Sequence, residues 1–153
     1  MVKRVFHPDS QVKLYNKGNY KAALIRLGHC DHNLVTVVID MCFQHYGNAS
    51  DWRNKESVAF SIEELIMFYG AFKAKRKVKM TLKFHAMTSN PVSIEVSNSE
   101  LKIESGPLIL VGNLAKKAKF IAMCETALRI YVEQAFPDCD FSDFLGFMAM
   151  HSE

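Results

Sequence analysis

The chain has no apolar run near the roughly 18 residues that a membrane span requires, and its start, MVKRVFHPDS, lacks the apolar stretch of a secretion signal. Those two absences lead us to expect a soluble protein inside the cell. The four cysteines, Cys30, Cys42, Cys124 and Cys139, are scattered with no CxxC pair, which speaks for reduced thiols rather than a disulfide frame. His29, Cys30 and His32 lie close together, but no second ligand cluster stands at finger-like spacing, so they read as a polar turn and no metal or cofactor is expected. There is no Gly-rich phosphate loop, no GxSxG, no HExxH and no carboxylate pair that alternation would bring to one open face. Asp40 and His45 fall on opposite faces of one strand, so they do not form an acid and base pair. No catalytic activity is expected.

Charge is also in short supply, with a formal net charge of +3 over 153 residues. A nucleic-acid surface, if the chain has one, must come from local placement of Lys and Arg. What is abundant is apolar material, 49% of the chain against 23% charged, which suits a globular domain and excludes a disordered one. The length allows a sizeable core but not two large domains.

Alternation marks the strands. Val12 and Leu14 alternate with Lys13, Tyr15 and Lys17 before a turn at Gly18 and Asn19; Ala23, Ile25 and Leu27 oppose Tyr20 and Arg26. After the turn CDHN, Val35, Val37, Ile39, Met41 and Phe43 form one face, and Thr36, Asp40, Cys42, Gln44 and Tyr46 form the other. The first face is expected to be core and the second open, so the first half reads as a meander. Ser61 with Glu64 has the form of a capping box, and Ile62, Leu65, Ile66, Tyr69 and Phe72 recur at helical spacing, predicting a helix over about 62–72 with a core-packing stripe.

The run KAKRKVKMTLKF follows without an acid, and from Val78 onward Met80, Leu82 and Phe84 alternate with Lys79, Thr81, Lys83 and His85. Further strands are expected at about 92–96, 101–104 and 108–111, then a long, largely apolar helix over about 114–135 with Asn113 as its cap. The expected fold is therefore α+β: two strand-strand-strand-strand-helix units, each a curved antiparallel sheet packed on a helix. Unit one covers about 1–75 and unit two about 76–136 of a single domain 1–136, with an acidic, aromatic tail at 137–153.

Cations that can neutralise phosphates and flat rings on which bases can stack coincide on the predicted open faces. In unit one these are Lys13, Tyr15, Lys17, Tyr20 and Arg26, with Tyr46, Trp52, Arg53 and Lys55 in and beside the loop that follows the third strand; in unit two they are Lys79 and Lys83, with Lys102 also facing out. Most base stacking is expected from unit one. The competing reading makes each lysine a solubilising edge residue and Trp52 a packing anchor over its own loop. Grouping on one face with rings interleaved favours binding.

The stretch VVIDMCFQHYGNASDWRNKESVAFSIEEL resembles the core of the positive cofactor four family of single-stranded-DNA-binding transcriptional coactivators: Ile39 and Asp40 fall on its Ile-Asp, and Val58, Phe60, Ser61, Glu63 and Glu64 on its last strand and helix start. The resemblance covers about 24–72. It implies a curved sheet that grips single strands with little base preference, helices that form a dimer contact, and a binding role for Arg53 and Lys55, with Tyr46 and Trp52 at its aromatic positions. Cys42 stands where that family has Arg, and Ser57 where it has Gly; Arg26 on the neighbouring strand can serve the same region. The doubled plan resembles the Whirly proteins, which hold in one chain what the coactivators assemble from two.

The expected function is thus single-stranded DNA binding, or RNA binding, as a homodimer acting in transcription, replication or recombination, in the cytoplasm or nucleoid, the nucleus of a eukaryote, or the host cytoplasm for a virus. The alternative is a protein-interaction module. Within the tail, Asp138, Asp140, Phe141, Asp143, Phe144 and Phe147 could recruit a partner or occlude a basic groove. Phe141, Phe144 and Met148 are also spaced along one side of a short helix, and packing on the body is favoured.

Overall fold

In a computed structural model of the chain, described for residues 5–16, 18, 20–82 and 90–149, the alternating segments become two four-stranded antiparallel sheets. The first sheet holds β1 (Gln11–Asn16), β2 (Lys21–His29), β3 (Val35–Cys42) and β6 (Glu56–Ala59) in that spatial order. Between β3 and β6 the chain makes a separate two-stranded ribbon, β4 (His45–Tyr46) and β5 (Ala49–Ser50). Helix α1 (Ile62–Lys75) follows, and its start is held as the capping box predicts: Ser61 Oγ accepts from the Glu64 amide at 3.1 Å while Glu64 Oε1 accepts from the Ser61 amide at 2.9 Å. The helix runs one turn past the expected end because Arg76 takes a left-handed conformation, φ 60°, and its amide donates to Phe72 O at 2.7 Å.

The second sheet has the simple order β7 (Val78–Leu82), β8 (Val92–Val96), β9 (Leu101–Ser105) and β10 (Leu108–Gly112). Helix α2 (Leu114–Ala135) begins at Asn113, whose side chain accepts from the Lys116 amide at 3.1 Å. The α+β plan of two four-strand-and-helix units is as the sequence implies.

The inner faces of both sheets share one buried cluster. Ile25, Val37 and Ile39 from the first sheet, Ile94, Leu101 and Ile103 from the second, and Leu65, Phe68, Phe120, Cys124 and Leu128 from the helices are all fully buried. Phe68 stands edge-on to both Phe60 and Phe120, at 5.4 and 5.8 Å between centroids, so one ring ties α1 to the end of the first sheet and to α2. Each such side chain contributes about 1.5–3 kcal/mol by leaving water. Tyr69 adds a polar tie between the helices, its hydroxyl donating to Glu125 Oε1 at 2.6 Å.

The outer face of β3 differs from expectation. Thr36, Asp40 and Cys42 were expected to face open space, yet every residue of β3 is buried. β3 is an inner strand, and each polar group on that face has acquired a partner that covers it: the Thr36 hydroxyl donates to Phe60 O at 2.8 Å, the Cys42 thiol to Gln44 O at 3.1 Å, and Asp40 lies under side chains from two neighbouring strands. Gln44 and Tyr46 do not continue that face either. The strand stops at Cys42, and the Asp51 amide donates to Gln44 O at 2.9 Å, closing the ribbon as a unit of its own.

The tail folds. α3 (Phe141–Ala149) places Phe141, Leu145 and Met148 against the core from the helix side, with Met148 beside Gly70 of α1. Phe144 meets Tyr131 of α2 edge-on at 6.5 Å, and Arg129 lies 4.9 Å from the centre of the Phe141 ring. No helix among the described residues is long and apolar enough to cross a membrane.

Candidate nucleic-acid interface

Register fixes what the outer face of the first sheet displays. Tyr15 pairs with Ala22 and Ala22 with Cys42; Lys13, Leu24, Asp40 and Ser57 form the next row; Gln11, Arg26, Val38 and Ala59 form the third. Beside Tyr15, then, the sheet offers small and apolar neighbours rather than bulk. At that end of the sheet lies an open cleft of about 430 Å³, lined by Tyr15, Asn16, Tyr20, Asn48, Ala49, Ser50 and Trp52. Cavities that take small ligands begin at about 300 Å³, so a nucleobase is well within its reach.

Three rings shape this cleft. Tyr15 projects from β1 and is 52% exposed, an unusual exposure for a large ring on a strand. Trp52 opens a short helical turn, Trp52–Asn54, that is anchored from beneath by Asp51, whose carboxylate accepts from Asn54 Nδ2 at 2.7 Å and pairs with Arg53 at 3.5 Å. The Asn54 hydrogen bond outweighs the desolvation cost and, with the Arg53 charge, holds the Asp51 carboxyl below the usual carboxylate range. Tyr20 sits in the left-handed region, φ 58°, where a bulky side chain is strained. Its amide donates to Asn16 O at 3.1 Å and its carbonyl accepts from the Ser50 hydroxyl, so the turn and the ribbon hold each other in place across the cleft.

Lys13 stands between two of the rings. Its ammonium is 5.9 Å from the centre of Tyr15 and 5.8 Å from the centre of Trp52, so a cation is held over aromatic surface at the mouth of the cleft. An unpaired base stacking on either ring would bring its phosphate toward that charge.

One row away lies a polar hub that sequence reasoning missed. Asp40 is fully buried and accepts from Arg26 Nε at 2.7 Å, Arg26 Nη2 at 3.3 Å, Lys55 Nζ at 3.2 Å and Ser57 Oγ at 2.6 Å. Burial alone pushes its carboxyl upward, but the Arg26 and Ser57 hydrogen bonds and the Arg26 and Lys55 charges together outweigh it and leave the group below the ordinary range. Two cations around one carboxylate leave one positive charge facing outward. The signal for this was present: an acid inside the apolar run VVIDMC must find partners if the strand is buried.

The sequence-predicted residues divide accordingly. Lys13, Tyr15, Tyr20 and Trp52 converge on the cleft, while Arg26 and Lys55 belong to the Asp40 hub. Arg53 is 73% exposed beside Trp52. Lys79 is exposed on the second sheet, away from the cleft. Lys17 and Lys83 lie outside the described residues, as does the side chain of Tyr46, whose backbone belongs to β4. Sequence reasoning gave no weight to Asn16, Asn48 and Ser50, which line the cleft. Among the described residues no three His, Cys, Asp or Glu side chains gather as a metal site.

The outer face of the second sheet has a balanced charge plan, with Lys79 opposite Glu95 in register. Lys102 is flanked by Glu95 at 3.5 Å and Glu104 at 3.6 Å, and next to it β10 shows the aliphatic side chains of Ile109 and Val111.

No protein-family model matches the sequence, and no curated protein matches it significantly. Among solved structures, the plant transcriptional regulator PBF-2 matches over 99% of this chain and 100% of its own, with a TM-score of 0.50 at 12% identity. The likeness extends over both units, and it carries the doubled, Whirly-type plan rather than the two-chain coactivator plan. The chain has the Whirly-type α+β fold of that regulator.

Proposed function

We propose that this protein binds single-stranded DNA on the outer face of its first sheet, with little dependence on base sequence and without catalysis, as a homodimer in transcription, replication or recombination. The observation that carries the reading is the cleft: Tyr15, Tyr20 and Trp52 around an open space of about 430 Å³, with the Lys13 ammonium 5.8 Å from the Trp52 ring. Arg53 and the net positive Asp40 hub, through Arg26 and Lys55, supply phosphate contacts on either side. The fold shared with a plant transcriptional regulator supports the same reading.

Trp52 is the sole tryptophan, so its fluorescence reports on the cleft without a label. Titration with an oligothymidylate should quench it, and affinity should fall with salt at a log-log slope of about −0.7 per phosphate neutralised. Duplex of equal length should bind more weakly, because its bases are already stacked. RNA of equal sequence should bind comparably unless a side chain reads the 2′-hydroxyl. Indifference to every oligonucleotide at low salt would refute the proposal.

A second reading, a protein-interaction module, draws on the second sheet, where Ile109 and Val111 are 51% and 52% exposed, and on Leu114 at the start of α2, which is 61% exposed. It predicts binding that is insensitive to salt and unaffected by changes at Trp52. Light scattering after size exclusion tests the dimer directly.

A further inference from the structure

Two stretches of this chain, residues 65–94 and 105–124, contain no Asp or Glu, and the fold brings their basic segments together at one end of the molecule. The last turn of α1 and its cap carry Lys73, Lys75 and Arg76, with Lys77 next in the chain, and the first two turns of α2 carry Lys116, Lys117 and Lys119. Phe72 marks the junction: Arg76 of α1 and Lys117 of α2 lie 5.9 and 5.8 Å from the centre of its ring.

The lysines of α2 are ordered without being neutralised. Lys116 Nζ donates to the backbone carbonyl of Lys13, and Lys117 Nζ to that of Asn98 at 2.9 Å; neither acceptor carries a charge. Lys119 pairs with Asp9 at 3.3 Å, but Asp9 is 83% exposed and such surface pairs are weak. Helix stability does not account for this placement, since the positive end of a helix dipole disfavours cations and the first turn of α2 has no acid to offset them.

This end of the molecule is continuous with the cleft. Gly112 closes β10 so tightly against β1 and α2 that a Cβ there would fall 2.7 Å from Leu14 Cδ2 and 3.0 Å from Lys116 Cβ. The bond from Lys116 to Lys13 O therefore joins the cationic end directly to the strand that bears Lys13 and Tyr15. Exposed aromatic rings are absent from the described residues of 73–77 and 113–119, so this surface offers phosphate contacts and no stacking.

We propose that a single strand held in the cleft continues over the β1 edge onto a second, phosphate-only subsite formed by Lys116, Lys117, Lys119 and Arg76. This inference rests on the cleft reading given above and extends the binding site around the molecule to the helix ends. A strand long enough to pass Lys13 would gain charge contacts there irrespective of its bases, and a short one would not.

The test compares oligothymidylates of about 5 and about 20 nucleotides, one near the lower end and one beyond the upper end of the site sizes of roughly 4–16 usual for single-strand binders. The variant is the full chain with Arg76→Asn, Lys117→Gln and Lys119→Gln, since Asn tolerates the left-handed conformation at position 76. Circular dichroism should show an unchanged fold. Affinity for the short oligonucleotide should match that of the unaltered protein, whereas affinity for the long one should drop about tenfold or more near 0.1 M salt, with the salt slope shallower by about 2. Unchanged affinity and slope for the long strand would overturn the subsite while leaving the cleft standing. Equal losses for both lengths would overturn it too, because the effect would then not depend on reach. If the unaltered protein binds neither length, the cleft reading fails and the subsite with it.

Discussion

Replacing Asp40 by Asn should make the protein less stable and a better binder at once. Asp40 is fully buried and takes four hydrogen bonds from Arg26, Lys55 and Ser57. Removing one partner of a fully buried ion pair costs about 3–5 kcal/mol, because the other charge is stranded. Here the stranded charges can reach water, since the Arg26 and Lys55 side chains are 33% and 42% exposed, and Asn still accepts one hydrogen bond. The expected loss is therefore smaller, about 2–3 kcal/mol, which lowers Tm by about 4–12 °C in a domain of this size. The same change leaves one more uncompensated positive charge beside the cleft. One additional phosphate neutralised steepens the salt slope by about 0.7 and raises affinity for single strands about fivefold near 0.1 M salt.

Acid supplies an independent check. Because the folded-state carboxyl lies below its unfolded value, its contribution is fully present above the unfolded pKa of about 3.9 and is lost as pH falls through the folded value. The stability gap between the parent and Asp40→Asn should be constant from about pH 5 to 8 and should close below about pH 4. Calorimetry across pH together with fluorescence titration at several salt concentrations covers both halves. If Asp40→Asn loses affinity in step with stability, the carboxylate is shaping the binding surface rather than restraining its cations, and the electrostatic reasoning is wrong.

Trp52→Ala should weaken single-strand binding about 5- to 150-fold, the value of about 1–3 kcal/mol for one stacked base, with the salt slope unchanged; anisotropy of a labelled oligonucleotide measures both. Ser61→Ala removes the cap of α1 and should lower stability by about 1 kcal/mol in urea unfolding while leaving affinity alone. Tyr69→Phe deletes the hydroxyl that links α1 to Glu125 and should cost about 1 kcal/mol near neutral pH. Burial and the neighbouring Glu125 push the Tyr69 hydroxyl well above its ordinary value, so its contribution is complete below about pH 10 and lost as pH rises further; absorbance titration of the parent should show one tyrosine that resists ionisation after the exposed ones have titrated.

The strands of the two four-stranded sheets, the capping box at Ser61 and the whole of α2 were legible in the chain because periodicity and caps are local signals, whereas the β4–β5 ribbon was not. The interface was only half legible. Alternation correctly put Tyr15 and Lys13 on an exposed face, but it also assigned β3 an open face, since a period of two cannot say whether a strand lies at the edge or in the interior of its sheet. Tyr20 was expected as a strand residue opposing Ile25; instead it occupies a left-handed turn, which leaves no trace in a hydrophobic pattern. The cleft joins Tyr15 to Trp52 across 37 positions of sequence, and no local rule reaches that far.

The two sheets share a plan but not a charge arrangement, and that difference decides where a polyanion can lie. In the first sheet a carboxylate sits at the centre with cations around it, so positive charge faces outward. In the second, Lys79 and Lys102 share the outer face with Glu95 and Glu104, so the charges of that face cancel and it offers a polyanion no net attraction. Duplication of a fold unit thus does not by itself duplicate a binding surface. A strand leaving the cleft gains no net attraction from that balanced face and more from the helix ends, where no acid is present between residues 105 and 124 and Lys116 already touches the backbone of Lys13.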